Sequence, residues 1–236
     1  MTLVVFALLS LFVVISAFVQ GTVGIGFALI MAPVFALVDA RYLPVTLLVL
    51  MLPLNFLVAW REREAIDFSG AKWITAGRFV GTFAGMAVLV ALTVRQLEIA
   101  VGLFTVLAAV VALLAPPFSP SRSSSLGVGL FTGVTETATG IGGPPLALLY
   151  QHAPGPVLRS TVAACFLVGE LVSLAVLMIL GHVHPDQLLV AACLVPAVLI
   201  GTAVSRMAHA RLNGTAVRLA VLLFSIASGI YLVVKG

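Results

Sequence analysis

Apolar residues in this chain come in long blocks rather than in alternation. The blocks fall at residues 3–20, 27–38, 44–60, 73–92, 97–115, 126–138, 144–151, 159–180, 186–206 and 213–235. A helix that crosses a bilayer needs about 20 residues at ~1.5 Å each. Six blocks approach or meet that length, 3–20 is marginal, and 27–38, 126–138 and 144–151 are too short to cross alone. The short blocks flank glycine-rich breaks: Gly21, Gly24 and Gly26 early in the chain, and Gly140, Gly142, Gly143, Pro144 and Pro145 later. The pattern predicts an all-α polytopic membrane protein.

The longest hydrophilic stretches are Arg61–Lys72 and Pro116–Ser125. The second, PPFSPSRSSS, reads as a linker between two halves, 1–115 and 126–236. Internal similarity supports that cut. Phe18-Val-Gln-Gly-Thr-Val-Gly-Ile-Gly resembles Val134-Thr-Glu-Thr-Ala-Thr-Gly-Ile-Gly at an offset of 116. Asn55 matches Glu170 at an offset of 115, and Phe79-Val-Gly-Thr matches Leu199-Ile-Gly-Thr at 120. Three matches in order at a nearly constant offset point to a repeat.

Composition and charge then fix class and orientation. Charged residues make up 8% of the chain and hydrophobic ones 62%, against about 25% charged in a soluble domain. The start, MTLVVFALLSLFVV, has no basic residue before its apolar run and no cleavage site, so it reads as a retained membrane segment. Suppose that 3–38 and 126–151 each cross once. The 12 Lys and Arg then divide six and six between the two sides. If each instead turns back at its glycine break, nine fall on one side: Arg61, Arg63, Lys72, Arg78, Arg122, Arg159, Arg206, Arg211 and Arg218. Arg41, Arg95 and Lys235 fall on the other. The uneven split is what the positive-inside rule favours. It predicts two inverted repeats, each a glycine-broken re-entrant hairpin followed by three transmembrane helices. The N-terminus is expected outside and the 116–125 linker in the cytoplasm. There is no basic stripe with interleaved aromatics, so nucleic acid is not an expected partner.

Ionisable residues deep in a membrane are costly and mark function by default. Glu136 lies ~15 Å along its helix from the inner end, and Glu170 ~16 Å along its own. Two carboxyl groups at one depth could hold a proton or a sodium ion. Their repeat partners, Gln20 and Asn55, are amides that would face a shared central cavity or bond between helices. The break TETATGIGGPP cannot continue a helix past Gly140, because Pro144 and Pro145 carry no N–H and the residue before a proline avoids helical geometry. Non-helical backbone at that depth persists only when buried in protein or facing water. Helices restarting at 27 and 144 would aim their N-terminal amides at an anion, with Thr135, Thr137 and Thr139 nearby. Arg78 is a candidate counter-charge. Only six residues from Lys72, it is better placed to snorkel to the inner interface.

Other features read as structure. Cys165 and Cys193 are expected as small core side chains. His182 and His184 in GHVHPD are expected in a turn rather than around a metal. No motif pairs a nucleophile with a base, so neither an enzyme nor a cofactor is expected.

The paired signatures QGTVGIGFALIMAP (Gln20–Pro33) and TGIGGPPLALLY (Thr139–Tyr150), with the Gly-Thr pairs at Gly81-Thr82 and Gly201-Thr202, resemble the sulfite exporter TauE/SafE family of bacterial membrane transporters. The resemblance runs over essentially the whole chain. It implies export of sulfite, sulfoacetate or related organosulfonates across the bacterial cytoplasmic (inner) membrane. The first break lacks the Gly-Gly-Pro of the second, so the half-sites are not equivalent. The expected substrate site comprises Gln20, Gly21, Gly24, Gly26, Asn55, Thr137, Thr139, Gly140, Gly142, Gly143 and Pro144, with Glu136 and Glu170 coupling to a proton. Expected partners are a small anion, membrane lipid and, as compatible with the composition, a second copy of the chain. The rival readings are a passive anion channel, a transporter of another small solute, and, ranked lower for want of long loops, a membrane scaffold.

Overall fold

The computed structural model of the chain describes residues 2–114, 120–208 and 214–235. Each apolar block becomes a helix. The first half holds α1 (Leu3–Val23), α2 (Phe27–Asp39), α3 (Val45–Arg61), α4 (Phe68–Ala91) and α5 (Val94–Leu114). The second holds α6 (Arg122–Thr139), α7 (Gly143–Leu149), α8 (Gly155–Ile179), α9 (Pro185–Ala208) and α10 (Gly214–Lys235). The chain is all-α among its described residues.

Several helices start earlier than hydropathy predicts, and polar caps are the reason. The Asp67 carboxylate accepts from Ser69 N at 3.1 Å and Gly70 N at 3.0 Å, so α4 begins at Phe68 rather than near 73. Inside the stretch expected as a linker, Ser121 and Ser124 form a reciprocal capping box and α6 begins at Arg122. Residues 116–119 of that stretch, and Arg211, lie outside the described residues.

Among the described residues six helices are long and apolar enough to cross a membrane: α1, α4, α5, α8, α9 and α10. Helix α1 is therefore not marginal. It runs on through Gly21 to Val23, and Gly24 ends it. Helix α3, at 17 residues, is about 25 Å long, somewhat less than the ~30 Å hydrocarbon layer. Large apolar side chains such as Phe79, Phe83, Leu103, Ile200 and Leu223 face outward, as lipid contact requires.

Close backbone contacts hold the bundle together. Gly77, Gly81 and Gly85 on α4 lie against the backbone of α6 at Leu126, Leu130 and Val134, and Gly129 and Gly133 return the contact at Ile74 and Arg78. Small residues at this spacing let two membrane helices approach until side chains no longer separate them. Helix α9 packs on α1 in the same way, with Gly201 against Val14 and Phe18. Shifting Val14 and Phe18 by 116 gives Leu130 and Val134, the residues that Gly81 meets.

Other pairs run antiparallel. Glu62, just past the end of α3, binds Arg159 near the start of α8, while Val45 and Leu48 pack with Leu177. Arg218 near the start of α10 donates to the carbonyl of Ala112 near the end of α5, at 2.7 Å. After each break the chain turns back toward the start of a long helix. The Tyr150 hydroxyl donates to Asp67 at the start of α4 (2.8 Å), and Gln187 near the start of α9 donates to the carbonyl of Arg41 (2.7 Å).

Candidate functional site

Both breaks use the same helix stop. Gly24 (φ 96°) and Gly140 (φ 82°) adopt the left-handed conformation, and each N–H donates back to a carbonyl, Gln20 or Glu136, at 2.7 Å. An L side chain would cost about 1–2 kcal/mol there, and glycine avoids that cost. The residue that anchors each cap also carries a polar side chain into the protein interior.

From the first break a chain of hydrogen bonds leads inward. Gln20 Oε1 accepts from the Phe27 amide at 3.0 Å, and Gln20 Nε2 donates to Asn55 Oδ1 at 2.9 Å. Asn55 Nδ2 then donates to Glu170 Oε1 at 2.6 Å. The two amides thus close on each other and on Glu170 rather than facing open space.

Around the second break stands an ion pair. Arg78 bonds Glu136, with the two side chains 1% and 0% exposed. The Arg78 guanidinium lies over the Phe166 ring, 5.1 Å from its centroid. A Cβ on Gly169 would occupy the same space as that guanidinium, so the missing side chain lets α4 and α8 meet there. Arg78 is therefore a buried group of the bundle. It does not snorkel to the interface, because the glycine contacts between α4 and α6 draw its Cα toward Gly133.

The two clusters adjoin. Glu170 follows Gly169 on α8 and is close enough to feel the charges of Glu136 and Arg78. Gly142 packs on Glu136, and Gly143 lies between Ile25 of the first break and Phe166. Four polar atoms in this region have no partner: Arg78 Nε, Arg78 Nη1, Glu136 Oε1 and Glu170 Oε2. Buried polar groups are normally satisfied, and each exception calls for an explanation.

Gln20, Asn55, Arg78, Glu136, Glu170, Gly142 and Gly143 of the expected set thus come together. The others serve mainly as packing. Gly21 lies against Ser205, Gly24 against Leu158 and Arg159, Gly26 against Val19, and Gly140 against Leu47. The Thr137 hydroxyl pairs with Ser173 at 2.8 Å, and Thr139 bonds back to its own helix at the Thr135 carbonyl. Pro144 lines a small apolar cavity of about 90 Å³ with Thr135 and Ile141. The amides expected at the restarting helices are reduced in number. Phe27 N–H is taken by Gln20, and Pro144 and Pro145 have none.

Phe166, Gly169 and Ser173 were not singled out from the sequence. Their only signal is position: Phe166 and Ser173 share the face of α8 that carries Glu170 at helical spacing, and Gly169 adjoins it in the chain. Cys165 is buried as expected, but Cys193 is exposed on α9 among outward-facing apolar residues. The GHVHPD loop caps α9, with Gln187 Oε1 accepting from the His184 amide at 2.8 Å.

No curated protein and no solved structure matches the chain. The sulfite exporter TauE/SafE family model matches residues 8–232. With that match over almost its full length, this helical membrane protein belongs to the sulfite exporter TauE/SafE family, whose members are transporters and not enzymes.

Proposed function

We propose that the protein exports a small sulfur-containing anion (sulfite, sulfoacetate or a related organosulfonate) across the bacterial cytoplasmic membrane, and that Arg78 draws the anion to where the two breaks meet. The observation that carries this reading is a fully buried guanidinium with two donor nitrogens unspent. Burying a charge is costly unless pairing and hydrogen bonds offset it. Glu136 offsets part of that cost, and an oxyanion accepting from Nε and Nη1 would complete the set. The planar fork of arginine suits such oxygens. Gly142 packs on Glu136 and Gly143 between Ile25 and Phe166 beside the same point, and Gln20 and Asn55 reach it through Glu170.

Glu170 is the better proton carrier of the two carboxyl groups. Its bonded partner is a neutral amide, so it can gain or lose a proton without breaking an ion pair. Glu136 is committed to Arg78. Release of the anion would follow when Glu136 and Glu170 together out-compete it for the guanidinium.

The architecture belongs to the same reading: two inverted repeats, 1–115 and 126–236, joined through 116–125, each a re-entrant hairpin followed by three crossings. Support comes from the antiparallel α3–α8 and α5–α10 pairs, the matched α4–α6 and α9–α1 contacts, and the turn back after each break. The uneven division of Lys and Arg favours an outside N-terminus.

Counterflow in proteoliposomes tests the function. Vesicles loaded with sulfite should take up labelled sulfite in a saturable manner, and the R78Q/E136Q variant should fold and show none. Uptake that never saturates and shows no exchange would instead mark a channel.

A further inference from the structure

A second polar feature lies between the C-terminal ends of α3 and α9, on the other side of the first break from Glu170, where Arg61 reaches the Gly21 carbonyl. There a groove of about 500 Å³ has Leu57, Leu199 and Ala203 as its apolar floor. Trp60, Arg61, Arg63 and Arg206 stand at its edge. Arg63 lies over the Trp60 ring at 5.0 Å. Arg61 uses one terminal nitrogen on the Gly21 carbonyl at 2.9 Å, while its Nε, buried beside the groove, has no partner. Arg159 and Arg206 both oppose the Arg61 charge. Glu62 is taken up mainly by Arg159, in a two-pronged pair at 2.7 and 3.1 Å, and stands 3.4 Å from the Arg61 guanidinium. Four arginines against Glu62 and Glu64 leave two positive charges in excess (four minus two).

A soluble anion would need only the cations. The apolar floor continues into outward-facing surface, since Leu57 is 37% exposed, Leu199 44% and Trp60 60%. Tryptophan and arginine together at a helix end are typical of the membrane–water boundary. We propose that this groove binds the headgroup of an anionic phospholipid, its phosphate held by Arg61, Arg63 and Arg206 and its first acyl carbons resting on Leu57, Leu199 and Ala203. Arginine suits the phosphate because its fork can give two parallel hydrogen bonds.

Binding is measured apart from transport, so this inference and the proposed function can fail separately. Full-length protein in detergent is titrated with phosphatidylglycerol, and separately with phosphatidylcholine of the same acyl chains, and read by native mass spectrometry. Phosphatidylglycerol should be retained preferentially. Each rim arginine removed should weaken it about fivefold, so R63Q/R206Q should lose about 25-fold. Both side chains are exposed, and a thermal melt confirms that the variant folds. K72Q/R122Q, which removes two cations outside the groove, should stay within about twofold of the parent. Equal retention of the two lipids, an unchanged affinity in R63Q/R206Q, or an equal loss in K72Q/R122Q would overturn the assignment. Displacement of the lipid by an equal concentration of glycerol 3-phosphate would also overturn it, because it would mark a soluble-phosphate site.

Discussion

Arg78 is the largest fully buried side chain among the described residues, and its partner decides what removing it does. Arg78→Gln alone leaves Glu136 as an uncompensated buried charge, a situation that costs about 3–5 kcal/mol. The variant should melt well below the parent in detergent, and adding Glu136→Gln should restore most of the loss. A single variant as stable as the parent would show that the pair does not hold α4 to α6. Glu170→Gln differs, because the new amide oxygen can still accept from Asn55. That variant should melt within a few degrees of the parent yet transport without response to a pH gradient. Retained gradient sensitivity would move proton coupling away from Glu170. Both glutamates could be marked from the sequence as groups inside apolar helices, and both are buried. The pairing of Arg78 with Glu136 could not, because hydropathy places Arg78 six residues from Lys72 and says nothing about which neighbour draws it inward.

The helices themselves were largely legible, since long apolar blocks in lipid have few alternatives to helix. Their starts were not, because Asp67 and Ser121 act as caps and hydropathy scores them only as polar. The tight seam between α4 and α6 was written in Gly77, Gly81 and Gly85 and in Gly129 and Gly133, at four-residue spacing, but only a structure shows that the two rows face each other. Gly81→Ala would press a methyl group into the Leu130 carbonyl and should cost about 1–3 kcal/mol. At Gly127, on the same helix as Leu130, an added Cβ would meet nothing within 4 Å, so Gly127→Ala should be neutral or gain up to about 1 kcal/mol. Thermal melts of both in one detergent check the contrast; equal effects would mean that the glycine row does not set the helix separation.

At the scale of the molecule, the proposed arrangement is two halves that face opposite ways around one buried charge cluster. Ser123, exposed at the start of α6, reports orientation. Ser123→Cys should resist a membrane-impermeant thiol reagent in intact cells and react once the membrane is opened; labelling in intact cells would reverse the topology. Three short matches suggest the repeat in the sequence, and the proposal of two related halves draws support from the like contacts of Gly81 with Leu130 and Val134 and of Gly201 with Val14 and Phe18. The central claim, that this fold moves a sulfur-containing anion, is tested most directly by flux in proteoliposomes loaded with sulfite or sulfoacetate, with and without an imposed pH gradient. The account predicts saturable flux that changes with the gradient. Folded protein that moves neither anion under either condition would contradict it.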